Sequence, residues 1–355
     1  MRGGVRKGTR YLDNLDVTAN VDFDALDWIP RTTLYAYMTY YNGQAFSGRQ
    51  VGNALGVSNI ETDVQAVRLY EAWLQHDLPN ERASLRFGLY DLNSEFDALA
   101  TASLFINSAH GIGVDIGQSG QAGPSIFPLT SLSARLEVAV TPALKVRVAV
   151  LDGVPADPDR PRRTAVKLGN GDGVLAIGEA DYTVGATRII AGYWRYSASF
   201  EVALDSAQAG ISVARRGNDG AYIRAESKLT REGKSEDQGL TGFVRLGWAD
   251  PRFNDFGSFY SGGLVYTGAI PGRNADQLGL AIAYARTTGR AKSLAALDGA
   301  SLAPNETNLE LTYRAPITSW LTVQPDVQYV INPGLDPSLK NAVAIGLRAE
   351  VAVSF

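Results

Sequence analysis

The sequence predicts an all-β fold: an antiparallel transmembrane β-barrel of about 15 strands. Two observations carry this. Side-chain polarity alternates with a period of two along most of the chain, and each alternating segment is roughly 9–11 residues long, the length of a tilted strand that crosses a hydrocarbon core. No window holds ~18 consecutive apolar residues, so a membrane-spanning helix is not predicted.

The segments follow in order at 11–23, 32–41, 65–77, 83–91, 130–140, 145–152, 174–182, 187–197, 220–230, 240–249, 258–267, 276–287, 306–315, 320–330 and 342–355. The last shows the pattern best. Val343, Ile345, Leu347, Ala349, Val351, Val353 and Phe355 share one face, and Ala344, Gly346, Arg348, Glu350, Ala352 and Ser354 share the other. Such a strand divides an apolar medium from a polar one. In 131–140, Leu132, Ala134, Leu136 and Val138 oppose Ser131, Ser133, Arg135 and Glu137. Between the strands, short connections near 78–82, 141–144, 183–186 and 316–319 contrast with long ones near 42–64, 91–129, 152–173, 198–219 and 289–305. Short turns at one rim and long loops at the other are the layout of an outer-membrane barrel, which places the protein in the bacterial outer membrane.

Composition narrows the function. There is no Cys, so no disulfide framework, thiolate metal site or cysteine nucleophile is available. Two His in 355 residues leave little for a metal site or a histidine relay, and a net charge of −4 gives no general attraction to nucleic acid. Neither a cofactor nor a metal is expected, and the chain reads as a single barrel domain over 1–355. The basic stretch 1–10 has no apolar core after it and is not a secretion signal. Counting back from a last strand that ends at the periplasmic rim makes 11–23 a descending strand. Single-chain barrels have even strand numbers, so sixteen strands are expected, with one strand and the signal peptide absent ahead of Met1.

Alternation assigns the inward side chains. They are Glu71, Trp73, Arg86, Tyr90, Arg135, Glu137, Arg147, Arg195, Arg224, Glu226, Arg245, Arg348 and Glu350. Arg68 falls on the outward parity and is kept only as a rim residue. Charged and aromatic groups at a channel neck can bind a permeating solute weakly enough to let it leave. These same charges have a plainer role open to them, that of bonding to one another to hold the wall. The segment 91–129 is too long for an idle connection. It brings Asp91, Asn93 and Glu95 to the candidate site and is expected to fold inward and narrow the bore; the alternative is an extracellular cap. Gly169–Gly173 reads as a plain turn, and Gly111-Ile-Gly113 lacks the context of a dinucleotide site. His110, near Ser108 and Asp115, is read as structural. Asp157-Pro-Asp-Arg-Pro-Arg-Arg163 is a solvated loop or a contact for lipopolysaccharide phosphates. Trp248, Tyr313 and Tyr329 suit an interfacial girdle.

Several segments then resemble the carbohydrate-selective porin (OprB) family. They include Gly8-Thr-Arg-Tyr-Leu-Asp-Asn-Leu-Asp16, Val67-Arg-Leu-Tyr-Glu-Ala-Trp73, Gly88-Leu-Tyr-Asp-Leu-Asn-Ser-Glu-Phe96, Phe105-Ile-Asn-Ser-Ala-His-Gly-Ile-Gly113, Gly123-Pro-Ser-Ile-Phe-Pro128, Gly192-Tyr-Trp-Arg-Tyr196 and Arg216-Gly-Asn-Asp-Gly-Ala-Tyr222. The resemblance implies a sixteen-stranded outer-membrane porin that passes carbohydrates passively. It also implies a terminal Phe355 read by the barrel-insertion machinery. The expected partners are sugars as permeating solutes, outer-membrane lipids, lipopolysaccharide and that machinery, with no nucleic acid. The rivals are an anion- or phosphate-preferring porin, an enzyme on an outer-membrane barrel, and a soluble sandwich.

Overall fold

The computed structural model describes residues 2–79, 82–232 and 237–354. Its strands are β1 (Asn14–Asp22), β2 (Thr32–Asn42), β3 (Gln65–Asp77), β4 (Ala83–Tyr90), β5 (Ser131–Thr141), β6 (Leu144–Asp152), β7 (Val174–Val184), β8 (Thr187–Tyr196), β9 (Ser199–Glu201), β10 (Ala214–Arg216), β11 (Asp219–Lys228), β12 (Gly239–Ala249), β13 (Phe256–Thr267), β14 (Gln277–Thr287), β15 (Asn305–Pro316), β16 (Leu321–Ile331) and β17 (Ala342–Val351). Fifteen of them form one antiparallel sheet in sequence order, and β9 and β10 make a separate two-stranded piece. The sheet strands match the fifteen predicted segments to within two residues, except at the start of β1 and the end of β17.

Because every sheet neighbour is a sequence neighbour, the connections alternate between two rims. One rim carries 43–64, 91–130, 153–173, 197–218, 250–255, 288–304 and 332–341. The other carries 23–31, 78–82, 142–143, 185–186, 229–238, 268–276 and 317–320. The long connections collect on the first rim, with 250–255 the short exception.

The sheet rolls around its own loops. Arg2, ahead of β1, exchanges two backbone hydrogen bonds with Val343 of β17 at 3.0 and 2.8 Å. Arg348 of β17 reaches Asn59, in the connection after β2, at 2.5 Å. β1 and β17 run in the same direction, so an antiparallel ladder does not join them directly, as the parity of the strands requires.

The outer face is apolar and exposed. Leu278, Leu280 and Ile282 of β14 are 40, 57 and 44 % exposed, while the alternate Ala281 and Ala283 are buried. The pattern recurs at Val148 and Val150, Val244 and Leu246, and Leu309 and Leu311. Neither a second sheet nor a helix covers these side chains among the described residues. Such a continuous greasy surface is stable only against lipid. Toward the long-loop rim, Trp248, Tyr260 and Tyr284 form an outward aromatic row with ring centroids 6.5 and 6.1 Å apart. No helix is long and apolar enough to span a membrane.

Candidate functional site

The connection 91–130 turns inward, as expected, and crosses the bore. Its local geometry begins with caps. The Asp91 side chain accepts from Asn93 N at 2.8 Å to start the turn at 92–94, and Asn107 does the same for Ala109 N at 3.0 Å. The Asn93 amide then donates to the carbonyls of Phe96, Asp97 and Gly111, which holds the two limbs of the loop together. At Gly113 a β-carbon would stand 2.2 Å from the Arg245 guanidinium, so only glycine lets the loop lie against that side chain.

Wall carboxylates receive the loop's backbone N–H groups at intervals along its path. Glu71 of β3 accepts from Asp91 N at 2.9 Å, and Glu179 of β7 accepts from Asp97 N at 2.9 Å. Glu226 of β11 accepts from Thr101 N and its hydroxyl at 2.9 and 2.8 Å. Glu310 of β15 accepts from Ile106 N and Asn107 N at 2.6 and 3.1 Å. Glu306 serves the connection 43–64 in the same way, accepting from Ala54 N and Leu55 N. A buried N–H without a partner is costly. Each carboxylate therefore fixes one point of loop backbone.

A buried ion cluster locks the middle of the loop. Arg245 contacts Asp97 at 2.8 Å and Asp115 at 2.7 Å, Arg224 contacts Asp97 at 3.1 Å, and all four side chains are fully buried. Around them Phe96, Leu99, Leu104, Phe105 and Ile116 pack on Ile177, Ile190, Trp194, Tyr222 and Phe243 of the wall. Burial, together with the nearby Arg224, pulls the His110 imidazole down to about 3, so it stays neutral. Its Nε2 is 3.8 Å from Glu310. Ser108 donates to the Leu55 carbonyl, so the two do not form a catalytic relay.

Toward the short-turn rim the inner wall carries a belt of alternating charge. Glu95 of the loop joins Arg86 of β4 at 3.4 Å and Arg135 of β5 at 2.9 Å. Glu137 of β5 pairs with Arg147 of β6. Arg147 then reaches Glu179 and Asp181 of β7 at 3.1 and 3.6 Å, and Arg188 of β8 joins Asp181 to Glu226 at 2.7 and 3.4 Å. Gln75 accepts from both Arg86 and Arg135 at 2.8 and 2.9 Å. Trp73 lies between Tyr35, stacked at 4.9 Å, and Arg86, whose guanidinium stands 3.7 Å from the ring centroid. Its faces are thus occupied by protein, and it acts as a platform for Arg86. Tyr90 is buried and donates to Glu95 at 2.5 Å.

The structure corrects two of the sequence assignments. Arg195 is not on the inner wall. Its neighbours Trp194 and Tyr196 turn inward and are buried, and Arg195 faces out at the long-loop rim, 4.0 Å from Asp219. The inner face of β8 is apolar there because the loop packs on it, which inverts a parity read from polarity. Arg68 is the opposite case. A bulge at Tyr70 shifts the register of β3 against β2 between Tyr37 and Met38, so Ala66, Arg68 and Tyr70 face inward ahead of Glu71 and Trp73. Arg68 is 3 % exposed and donates to the Tyr41 hydroxyl at 2.5 Å. At the open end of the sheet, Arg348 is half-buried and Glu350 lies exposed, 4.0 Å from Arg314. Phe355 lies outside the described residues. Gly169–Gly173 is a plain turn in which Asp172 accepts from Gly169 N at 2.7 Å. Sequence reasoning missed Asp97, Glu179, Arg188, Glu306, Glu310 and Gln328 as parts of the site; Gln328 of β16 accepts from the Asn107 amide at 3.1 Å. Glu179 and Gln328 stood in alternating strands, but nothing local marked them as partners of a distant loop.

Comparison with known proteins agrees with this geometry. The family model described as carbohydrate-selective porin, OprB family, matches residues 6–352. The chain belongs to that family. It is 23 % identical to Porin B of Pseudomonas aeruginosa over 376 residues, 97 % of this chain and 82 % of that protein. Among solved structures, the high-pH form of Pseudomonas putida OprB superposes with a TM-score of 0.87 at 21 % identity, covering 99 % of this chain and 90 % of that one. The outer membrane channel DcaP of Acinetobacter baumannii gives 0.57 at 10 % identity, with 95 and 84 % covered. An anion-selective porin from Comamonas acidovorans gives 0.53 at 10 % identity, with 96 and 89 % covered, and shares the fold. This OprB-family chain is an outer-membrane porin for the passive diffusion of carbohydrates, and family and fold indicate a channel rather than an enzyme.

Proposed function

We propose that this porin passes neutral mono- and small oligosaccharides along the charge belt beneath the inward loop. The belt is the observation that carries the reading. Its cations are Arg86, Arg135, Lys145, Arg147 and Arg188, and its anions are Glu95, Glu137, Glu179, Asp181 and Glu226, so 5 − 5 leaves 0. Alternating donors and acceptors suit hydroxyls, which both give and accept hydrogen bonds. A wall without net positive charge does not favour anions over neutral solutes. Lys145, Arg188, Glu137 and Glu95, 51, 28, 22 and 18 % exposed at the side chain, are the groups of this belt most open to a passing sugar. The strands and the inward loops are proposed to act as one barrel domain. Outer-membrane lipids and lipopolysaccharide would contact the apolar band, and the insertion machinery would read the C-terminal Phe355.

Planar-bilayer recording tests the sugar path. Sugars added to one side should reduce the ion current of the natural protein, and Glu95→Gln with Arg135→Gln should weaken that block at least several-fold. Strong anion selectivity without any effect of sugar would support the anion-preferring alternative instead.

A further inference from the structure

The connection 153–173 does more than join β6 to β7. It reaches sideways to β3. β4 pairs with β3 only from Ala72 to Asp77, which leaves the rest of that edge open toward the long-loop rim. The connection occupies this place. Thr164 Oγ1 accepts from Leu69 N at 2.8 Å and donates to the Leu69 carbonyl at 3.2 Å. The buried Arg68 guanidinium donates to the Arg163 carbonyl at 2.7 Å and to the Pro161 carbonyl. The backbone at 161–164 is therefore tied to the barrel wall from within.

Its side chains are not. Arg160, Arg162 and Arg163 are exposed, and with Pro161 they line a concavity of about 480 Å³. The local acids are already engaged. Lys167 holds Asp157 and Asp159 at 3.0 and 3.1 Å, and Arg160 lies 3.9 Å from Asp157. Across 157–167 four cations oppose two anions, so 4 − 2 leaves +2. Arg162 and Arg163 make no ion pair among the described residues. Beside this cluster Val166, Leu168 and the outward Val67 are 53, 69 and 60 % exposed. The result is a basic cup on a backbone held to β3, with an apolar flank, at the outer rim of a wall that is otherwise embedded in lipid.

We propose that this cup binds the phosphate groups of a phosphorylated glycolipid of the outer leaflet, whose acyl chains lie on the apolar flank. The proposal rests on the outer-membrane location given above and adds a site to it. Arginine suits the role because its planar fork donates two parallel hydrogen bonds to phosphate oxygens. A free phosphate would use the same arginines but not the flank.

The test measures binding of bis-phosphorylated lipid A to the purified, delipidated full chain in detergent. The natural protein should bind it, and the triple variant R160Q, R162Q, R163Q should bind roughly 100-fold more weakly, since each arginine contributes about fivefold at an anionic surface. Dephosphorylated lipid A should lose a similar factor. Liposome swelling with a monosaccharide should be unchanged in the variant, which shows that it is folded and open. Equal binding by the variant, or by the dephosphorylated lipid, overturns the site. Inorganic phosphate binding as tightly as lipid A overturns the lipid assignment in favour of a free anion. Failure of the natural protein to swell liposomes would count against the porin reading and leave this binding result to stand by itself.

Discussion

Arg245 shows how one side chain sets a channel's geometry. It is fully buried and shared between Asp97 and Asp115. Removing it leaves two carboxylates in a dry site without their common counter-charge, a loss of about 3–5 kcal/mol. Arg245→Ala should therefore unfold at markedly lower temperature in detergent, and its single-channel current should be larger and noisier as the loop loosens. Trp73→Ala has a different expected outcome. It removes the platform under Arg86 and one contact to Glu71 while leaving the buried ion cluster in place, so sugar block should weaken while thermal stability changes far less than in Arg245→Ala. At this scale the sequence was only partly legible. Period-two parity placed Arg86, Arg135, Arg147, Arg224 and Arg245 inward. It could not show that Glu71 would be taken up by a loop N–H group, or that Glu226 would be shared between the loop and Arg188. It failed at Arg195, where the inner face is apolar, and at Arg68, where a bulge adds one residue and reverses the faces.

At the scale of elements, the loop 91–130 is held inside the barrel by contacts spread over β3, β7, β11, β12 and β15, and its proposed role is that of a fixed constriction. Deleting 98–118 should raise single-channel conductance several-fold and abolish sugar block; unchanged conductance and unchanged block would contradict this role. Its length signalled a function in the sequence, but its destination did not, because each contact pairs residues far apart in the chain. The connection 43–64 offers a pH test. Burial pushes the Glu61 carboxyl up to about 7 although Ser47 hydrogen-bonds to it. Its folded value lies above the ordinary 4.5, so its contribution to stability is fully present below that pH and is lost as pH rises through about 7. Hydrogen exchange at Ser47 N and Val57 N, corrected for intrinsic rates, should show easier opening at pH 8 than at pH 5. Glu61→Gln should flatten this difference, and protection that rises with pH would contradict the assignment.

For the whole molecule, the legible part was the division between lipid and water. Every strand of the sheet must show one face to each medium, so the period of two recurs along the chain and marks the strands almost to the residue. Leu280, on the outward face of β14, should accept Arg only at a cost of roughly 2–4 kcal/mol, as at a bilayer midplane, measured by unfolding from lipid vesicles. The same substitution at Ala281 would instead crowd the buried inner wall. The porin's sugar path is tested most directly by swelling of liposomes that contain the purified protein, in a series from a monosaccharide to a trisaccharide. Swelling is expected with the smallest sugar, at rates that fall with sugar size as the inward loop limits passage. Liposomes that swell no faster than protein-free controls with every sugar would contradict it.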